Sequence, residues 1–312
     1  MRTKEEIIRS VMIGHAVGDA LGVPVEFCTR EELRRRPVTD MMGYGSYPVP
    51  AGAWSDDTSM SLGALDVLAD GDVRYDKMME NFVKWCDCSA YTPTGEMFDI
   101  GCTCRRAIQN FTWGASPLAC GMAGKYDNGN GSLMRIHPFV LMTYFCGNLR
   151  AEWERVIENA SSLTHAHERS LLACKIYALV LLSLMETPSK ASVRAALREA
   201  KARYVQSAEY FTYERLFAED LAELPEAEIR SSGYVVDTLE AALWCLLTAD
   251  SYAECVLKAV NLGEDTDTVA AVAGGLAGAL YGYEAIPENW RKTLIRREYI
   301  EQMCARAAEN WE

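Results

Sequence analysis

The stretch Gly263-Glu264-Asp265-Thr266-Asp267-Thr268-Val269-Ala270-Ala271-Val272-Ala273-Gly274-Gly275-Leu276-Ala277-Gly278-Ala279-Leu280-Tyr281 decides the fold class. From Thr268 onward it reads as a helix. Ala270, Ala271, Ala273, Gly274, Ala277 and Gly278 give that helix so little side chain that neighbouring helices approach closely. Asp265 and Asp267 stand at its start, where the positive end of the helix dipole favours carboxylates.

The rest of the chain repeats the helical theme. Ile7, Ile8, Val11, Met12, His15 and Gly18 follow the i, i+3, i+4 spacing of an amphipathic helix. Met60 to Leu68 continues as a helix from an acidic string, with Ser55 or Asp56 as its N-cap. Helices are also predicted over Tyr75 to Cys88, Phe98 to Gln109, Ser189 to Tyr204, Asp237 to Thr248 and Tyr252 to Leu262. Leu171 to Met185 is almost continuously apolar and reads as a buried central helix. Gly233-Tyr234-Val235-Val236 reads either as a short extended piece or as the start of a helix. Residues 36–53, 114–132 and 211–232 are the main loops. Strand signals are otherwise sparse, so the expectation is an all-α globule, taken as a single domain over residues 1–312.

Two acidic strings lie about 200 residues apart: Trp54-Ser55-Asp56-Asp57-Thr58 and Gly263-Glu264-Asp265-Thr266-Asp267-Thr268. Each combines carboxylates and hydroxyls, the oxygen ligands that Mg2+ and Mn2+ prefer. Brought together, they would make one two-metal site. Either string alone is equally well read as a helix cap. A third segment, Gly14-x3-Gly18-Asp19-Ala20-x-Gly22-x3-Glu26, puts a carboxylate among Val25, Phe27 and Cys28. A Glu in apolar surroundings has a partner or a function, unless it is exposed at a turn. Asn128-Gly129-Asn130-Gly131-Ser132 tolerates positive φ and presents backbone N–H groups, which suits a phosphate cradle or a plain surface turn. It lacks the Gly-Lys-Ser/Thr ending of a P-loop. His165 and His167 are two apart and do not share a helix face, which argues against zinc.

Among 312 residues, 49% are hydrophobic and the formal net charge is −13. No dense Lys/Arg run offers a nucleic-acid surface; Arg34-Arg35-Arg36 is read as a solvated loop. Residues 1–6 have no apolar core of a signal peptide, and no apolar run of 18 residues spans a membrane. Eleven cysteines cannot all pair within the chain, and the C-x-C pairs at Cys86/Cys88 and Cys102/Cys104 lack structural-zinc spacing. A reduced cytoplasmic protein with mostly buried thiols is expected, with a monomer as the default.

Taken in order, the strings GHAVGDALGVPVEF (14–27), WSDDTSMSL (54–62), FDIGCTCRRAI (98–108), GNGSLMR (129–135), LTHAH (163–167), SGYVVDTLEAALW (232–244) and GEDTDTVAAVAGGLAGALYG (263–282) resemble the ADP-ribosylglycohydrolase family. Within it they are most similar to the bacterial dinitrogenase reductase-activating glycohydrolases. The resemblance implies an all-α orthogonal bundle with a cleft holding two divalent cations, Mg2+ or Mn2+. It places the metal ligands on Ser55, Asp56, Asp57, Asp265, Asp267 and Thr268. It places the catalytic glutamate on Glu26, the ADP-ribose contacts on Asn130, Gly131, Ser132, His165, Tyr234 and Val235, and a guanidinium-facing carboxylate on Asp99. A carboxylate meets a guanidinium with two parallel hydrogen bonds. The implied reaction is metal-dependent removal of ADP-ribose from arginine of a modified protein. Serine-linked ADP-ribose, a small ADP-ribosyl compound, and a non-catalytic ADP-ribose-binding or immunity protein are the alternatives.

Overall fold

The computed structural model describes residues 2–218 and 221–311. Among them lie fifteen α-helices: α1 (Lys4–Gly22), α2 (Arg30–Arg35), α3 (Asp56–Leu68), α4 (Tyr75–Cys88), α5 (Cys102–Thr112), α6 (His137–Phe145), α7 (Gly147–Arg150) and α8 (Trp153–Ser162), followed by α9 (Glu168–Glu186), α10 (Lys190–Arg203), α11 (Val235–Thr248), α12 (Tyr252–Asn261), α13 (Thr266–Tyr281), α14 (Glu288–Thr293) and α15 (Arg297–Asn310). Extended pairing among the described residues is confined to two isolated bridges, Met122 with His165 and Gly129 with Tyr234. The all-α expectation holds. No described helix is long and apolar enough to cross a membrane.

The centre of the fold is the contact between α1 and α13. A Cβ on Gly14 would stand 2.5 Å from Gly274 O, one on Gly18 would stand 2.1 Å from Ala270 O, and one on Gly278 would stand 2.0 Å from Ser10 O. These pairs run in opposite directions along the two helices, so α1 and α13 lie antiparallel, backbone on backbone. At the end of the contact, a Cβ on Gly22 would be 2.3 Å from Asp267 Cα, and Thr266 Oγ1 donates to Gly22 O at 2.8 Å. The chain leaving α1 therefore turns beside the N-terminus of α13. That turn, the 3-10 segment Val23–Val25, delivers Glu26.

Several local readings are corrected. The helix expected over Phe98 to Gln109 begins only at Cys102. Gly101 is its extended N-cap, with φ −63° and ψ 143°, which leaves Asp99 on a loop. Arg34 and Arg35 are not in a loop but in the last turn of α2, where cations suit the helix dipole. The helix starts at a capping box in which Thr29 and Glu32 exchange hydrogen bonds. Gly233–Val236 resolves as the start of α11, with Tyr234 as N-cap. The loop at 211–232 contains short 3-10 turns, and residues 219 and 220 within it lie outside the described residues.

Candidate active site

The two acidic strings meet. Ser55 is the N-cap of α3, and its side chain accepts from Asp57 N at 3.3 Å. Asp267 is in the first turn of α13 and accepts from Thr268 N at 2.9 Å. Thr268 Oγ1 then donates to Asp57 Oδ1 at 3.3 Å, joining residues 211 apart in sequence. Both helices thus point their positive ends at one cluster of carboxylates.

Two groups of oxygens form around Asp267. Carboxylate oxygens of Asp19, Asp57 and Asp267 lie within 4.8 Å of one another, and so do those of Glu26, Asp99 and Asp267. Asp19, Glu26, Asp56, Asp57 and Asp267 are all buried, so the expected alternative of an exposed turn for Glu26 is excluded. Burial pushes the carboxyls of Asp56, Asp57 and Asp267 well above the ordinary range, and their negative neighbours push in the same direction. Burial, followed by the charge of Asp99, raises Glu26 to about 8. Burial and Asp265 raise Asp99 as well.

Three buried oxygens of this cluster, Glu26 Oε2, Asp57 Oδ2 and Asp265 Oδ1, have no partner at ordinary hydrogen-bond geometry. Unpaired buried anionic oxygens are costly. Divalent cations with a preference for oxygen ligands would satisfy them, so the residues present fit such a metal.

Asp19 is the carboxylate of this cluster to which the sequence reading gave no role. Its Oδ1 accepts from Ser55 N at 2.9 Å, and its Oδ2 accepts from Thr58 N at 3.0 Å and Thr58 Oγ1 at 2.6 Å. It braces the start of α3 from the side of α1. Burial raises its carboxyl to about 6 despite those donors. The signal was present as the one carboxylate, between Gly18 and Ala20, in the mostly apolar second half of α1.

A cleft of about 330 Å3 opens onto the cluster, and Glu26, Asp56, Asp99, Asn130, Gly131, His165, Asp265 and Thr268 line it. Asn130 Nδ2 donates to Asp265 Oδ2 and Thr238 Oγ1, both at 2.9 Å, while Asn130 N donates to Gly233 O at 3.1 Å. Residues 129–131 of this segment are therefore a cleft wall and not a plain surface turn. Gly131 fits tightly, since a Cβ there would stand 2.7 Å from Cys104 Sγ and 2.9 Å from His165 Cε1. His165 is buried, with Nδ1 2.9 Å from Thr164 Oγ1. Burial, aided by the Arg135 cation, lowers it to about 3, so the imidazole is neutral.

Two expected contacts point elsewhere. Ser132 is fully buried and accepts from Ser161 Oγ at 2.8 Å, and Val235 is fully buried at the start of α11. Tyr234, beside Val235, is half-buried, with the Arg169 guanidinium 5.7 Å from its ring centroid. His167 caps α9 by accepting from Arg169 N at 3.2 Å.

An all-α fold in which two helix N-termini and a glycine-rich turn converge on buried carboxylates beside a ligand-sized cleft defines the class. The chain belongs to the ADP-ribosylglycohydrolase family, whose profile matches residues 1–312, and it is accordingly a hydrolase. It is 34% identical over 303 residues to the ADP-ribosylarginine hydrolase Tri1 of Pseudomonas putida (strain GB-1), covering 95% of this chain and 76% of the relative. It is 32% identical over 299 residues to the ADP-ribosyl-[dinitrogen reductase] glycohydrolase of Rhodospirillum rubrum, covering 94% and 92%. A solved structure described as an ADP-ribosylglycohydrolase-related protein complex superposes with a TM-score of 0.84 at 28% identity, covering all of both chains.

Proposed function

We propose that this protein, acting as one domain over residues 1–312, removes ADP-ribose from arginine of a modified protein. It does so by hydrolysing the N-glycosidic bond at C1″ of the distal ribose, with two Mg2+ or Mn2+ ions held by Ser55, Asp56, Asp57, Asp265, Asp267 and Thr268. When bound, such ions act as Lewis acids toward the oxygens they hold.

The observation that carries the reading is the grouping of Glu26, Asp99 and Asp267 oxygens within 4.8 Å at the wall of the cleft. Glu26 Oε2 is buried and unpartnered, and it is assigned to orient the attacking water and take its proton. Asp99 is assigned to the departing guanidine, which it would hold through paired N–H donors. Positive charge builds at the anomeric carbon as the bond breaks, and the surrounding carboxylates stabilise it. Asn130, Gly131 and His165 line the cleft and are assigned to ADP-ribose, with Tyr234 bordering them. The names of the Tri1 and dinitrogen reductase relatives favour the arginine linkage over the serine linkage.

The test is release of free ADP-ribose from ADP-ribosyl-arginine and ADP-ribosyl-serine peptides, each with Mg2+, Mn2+ or EDTA. Release from the arginine peptide that EDTA abolishes is expected. Release from the serine peptide alone would transfer the reading to that linkage, and release unaffected by EDTA would remove the metal from it.

A further inference from the structure

Residues 44–49 fold onto the turn that carries Glu26. Tyr44 N donates to Val49 O at 2.8 Å and closes the loop, Ser46 N donates to Pro24 O at 2.9 Å, and Ser46 Oγ donates to Glu26 O at 2.5 Å. Gly45 permits this approach, because a Cβ there would stand 1.7 Å from Pro24 O. Tyr47 is therefore placed by backbone bonds as well as by its own packing. Its ring lies against Phe98, the neighbour of Asp99, with centroids 4.9 Å apart. Together with Phe98 and Ile295 it covers Val23, Val49 and Ala53.

The Tyr47 hydroxyl lies near the side chains of both Glu26 and Asp99. Glu26 Oε2 has no partner at ordinary hydrogen-bond geometry. Glu26 and Asp99 both lie outside the α-helices, so neither inherits a fixed direction from one. Their oxygens also come within 4.8 Å of each other, where like charges repel. A phenol has one proton to give, so between two carboxylates it donates to one at a time while its bulk keeps the two apart.

We propose that Tyr47 is a positioning residue for the hydrolysis, its hydroxyl holding Glu26 and Asp99 apart while its ring, clamped on Phe98, fixes where that hydroxyl stands. The proposal rests on the reading given above, in which these two carboxylates serve the water and the leaving group. Misplacing a catalytic group by about 1 Å costs up to ~100-fold in rate without weakening substrate binding in proportion.

The test compares the metal-loaded wild type with Tyr47→Phe, which keeps the ring and removes the hydroxyl. Steady-state ADP-ribose release and crystal structures of both proteins are the two readouts. A kcat lowered by about tenfold or more with KM within about twofold, and a changed side-chain direction of Glu26 or Asp99, are expected. An unchanged kcat, or a loss confined to KM, overturns the proposal. If the wild type releases no ADP-ribose, the substrate reading fails, and the structures still decide this one. Glu26 and Asp99 keeping their directions in Tyr47→Phe overturns it, and their moving sustains it.

Discussion

Asp19 and Thr58 are joined twice: Asp19 Oδ2 accepts from Thr58 N at 3.0 Å and from Thr58 Oγ1 at 2.6 Å. Asp19 lies in α1 and Thr58 in the first turn of α3. A carboxylate that looks like a further metal ligand is already engaged in fixing the helix start that presents Asp56 and Asp57. It also shows how the α1–α13 contact is transmitted to the other half of the site.

Asp19→Ala should therefore destabilise the protein by about 2 kcal/mol, the combined cost of a lost helix cap and of donors left unpaired in the interior. It should also weaken divalent-cation binding. Urea denaturation and calorimetric titration with Mn2+ measure the two effects. Unaltered stability would contradict the bracing role.

Asp57→Asn and Asp267→Asn remove a negative charge at nearly constant shape. Each should abolish measurable Mg2+ or Mn2+ binding and lower hydrolysis by at least about 100-fold, while the helical circular dichroism stays unchanged. Full activity in both variants would exclude these carboxylates from a metal centre.

The metal-free protein should become less stable as pH rises from 6.5 to 8.5. Glu26 titrates near 8 when folded against an ordinary 4.5, and Asp57 and Asp267 are also raised. The folded state thus binds more protons than the unfolded chain. Stability is complete below the unfolded values and is lost as pH climbs through the folded ones, by up to ~1.4 kcal/mol per pH unit for each group. His15 and His165 are lowered to about 3 and act in the opposite sense, losing stability as pH falls through their ordinary value of 6.5, so their effect fades toward the upper part of the window. Melting temperatures with EDTA and with excess Mg2+ provide the check: the gap between them should widen toward pH 8.5, and Glu26→Gln should narrow it.

Gly18→Ala forces a methyl group to within 2.1 Å of Ala270 O, where only backbone can yield. A loss of about 3 kcal/mol is expected from overpacking, with activity falling as α1 and α13 separate. Gly63→Ala is the control, because its nearest contact is 3.5 Å away on a side chain. A thermal melt of both separates close-packed glycine from glycine in general.

Much of this was legible in the amino-acid order. Helical period and caps located α1, α3, α4 and α9 to α13, since those signals are local. The acidic strings, the Gly/Asn turn and the resemblance they support together marked most of the cleft. Ser132 and Val235 show the limit of such transfer. Both sit in the right segments, yet both are buried away from the cleft wall, because neighbours in sequence face different directions and only packing selects which one meets a ligand.

By itself, then, the sequence determined those eight helices, the small-residue face of α13 and the identity of most of the carboxylates, because propensity and side-chain chemistry act over a few residues. Only the tertiary structure decided that Asp57 and Thr268 touch across 211 residues. It alone decided that Asp19 braces α3, that Phe98–Gly101 stays outside α5 so that Asp99 comes within 4.8 Å of Glu26, and that Tyr47 packs on Phe98 beside that pair. Each of these depends on how closely α1 and α13 approach and on where the loops that leave them are pinned, and such distances are set by packing among residues far apart in the chain.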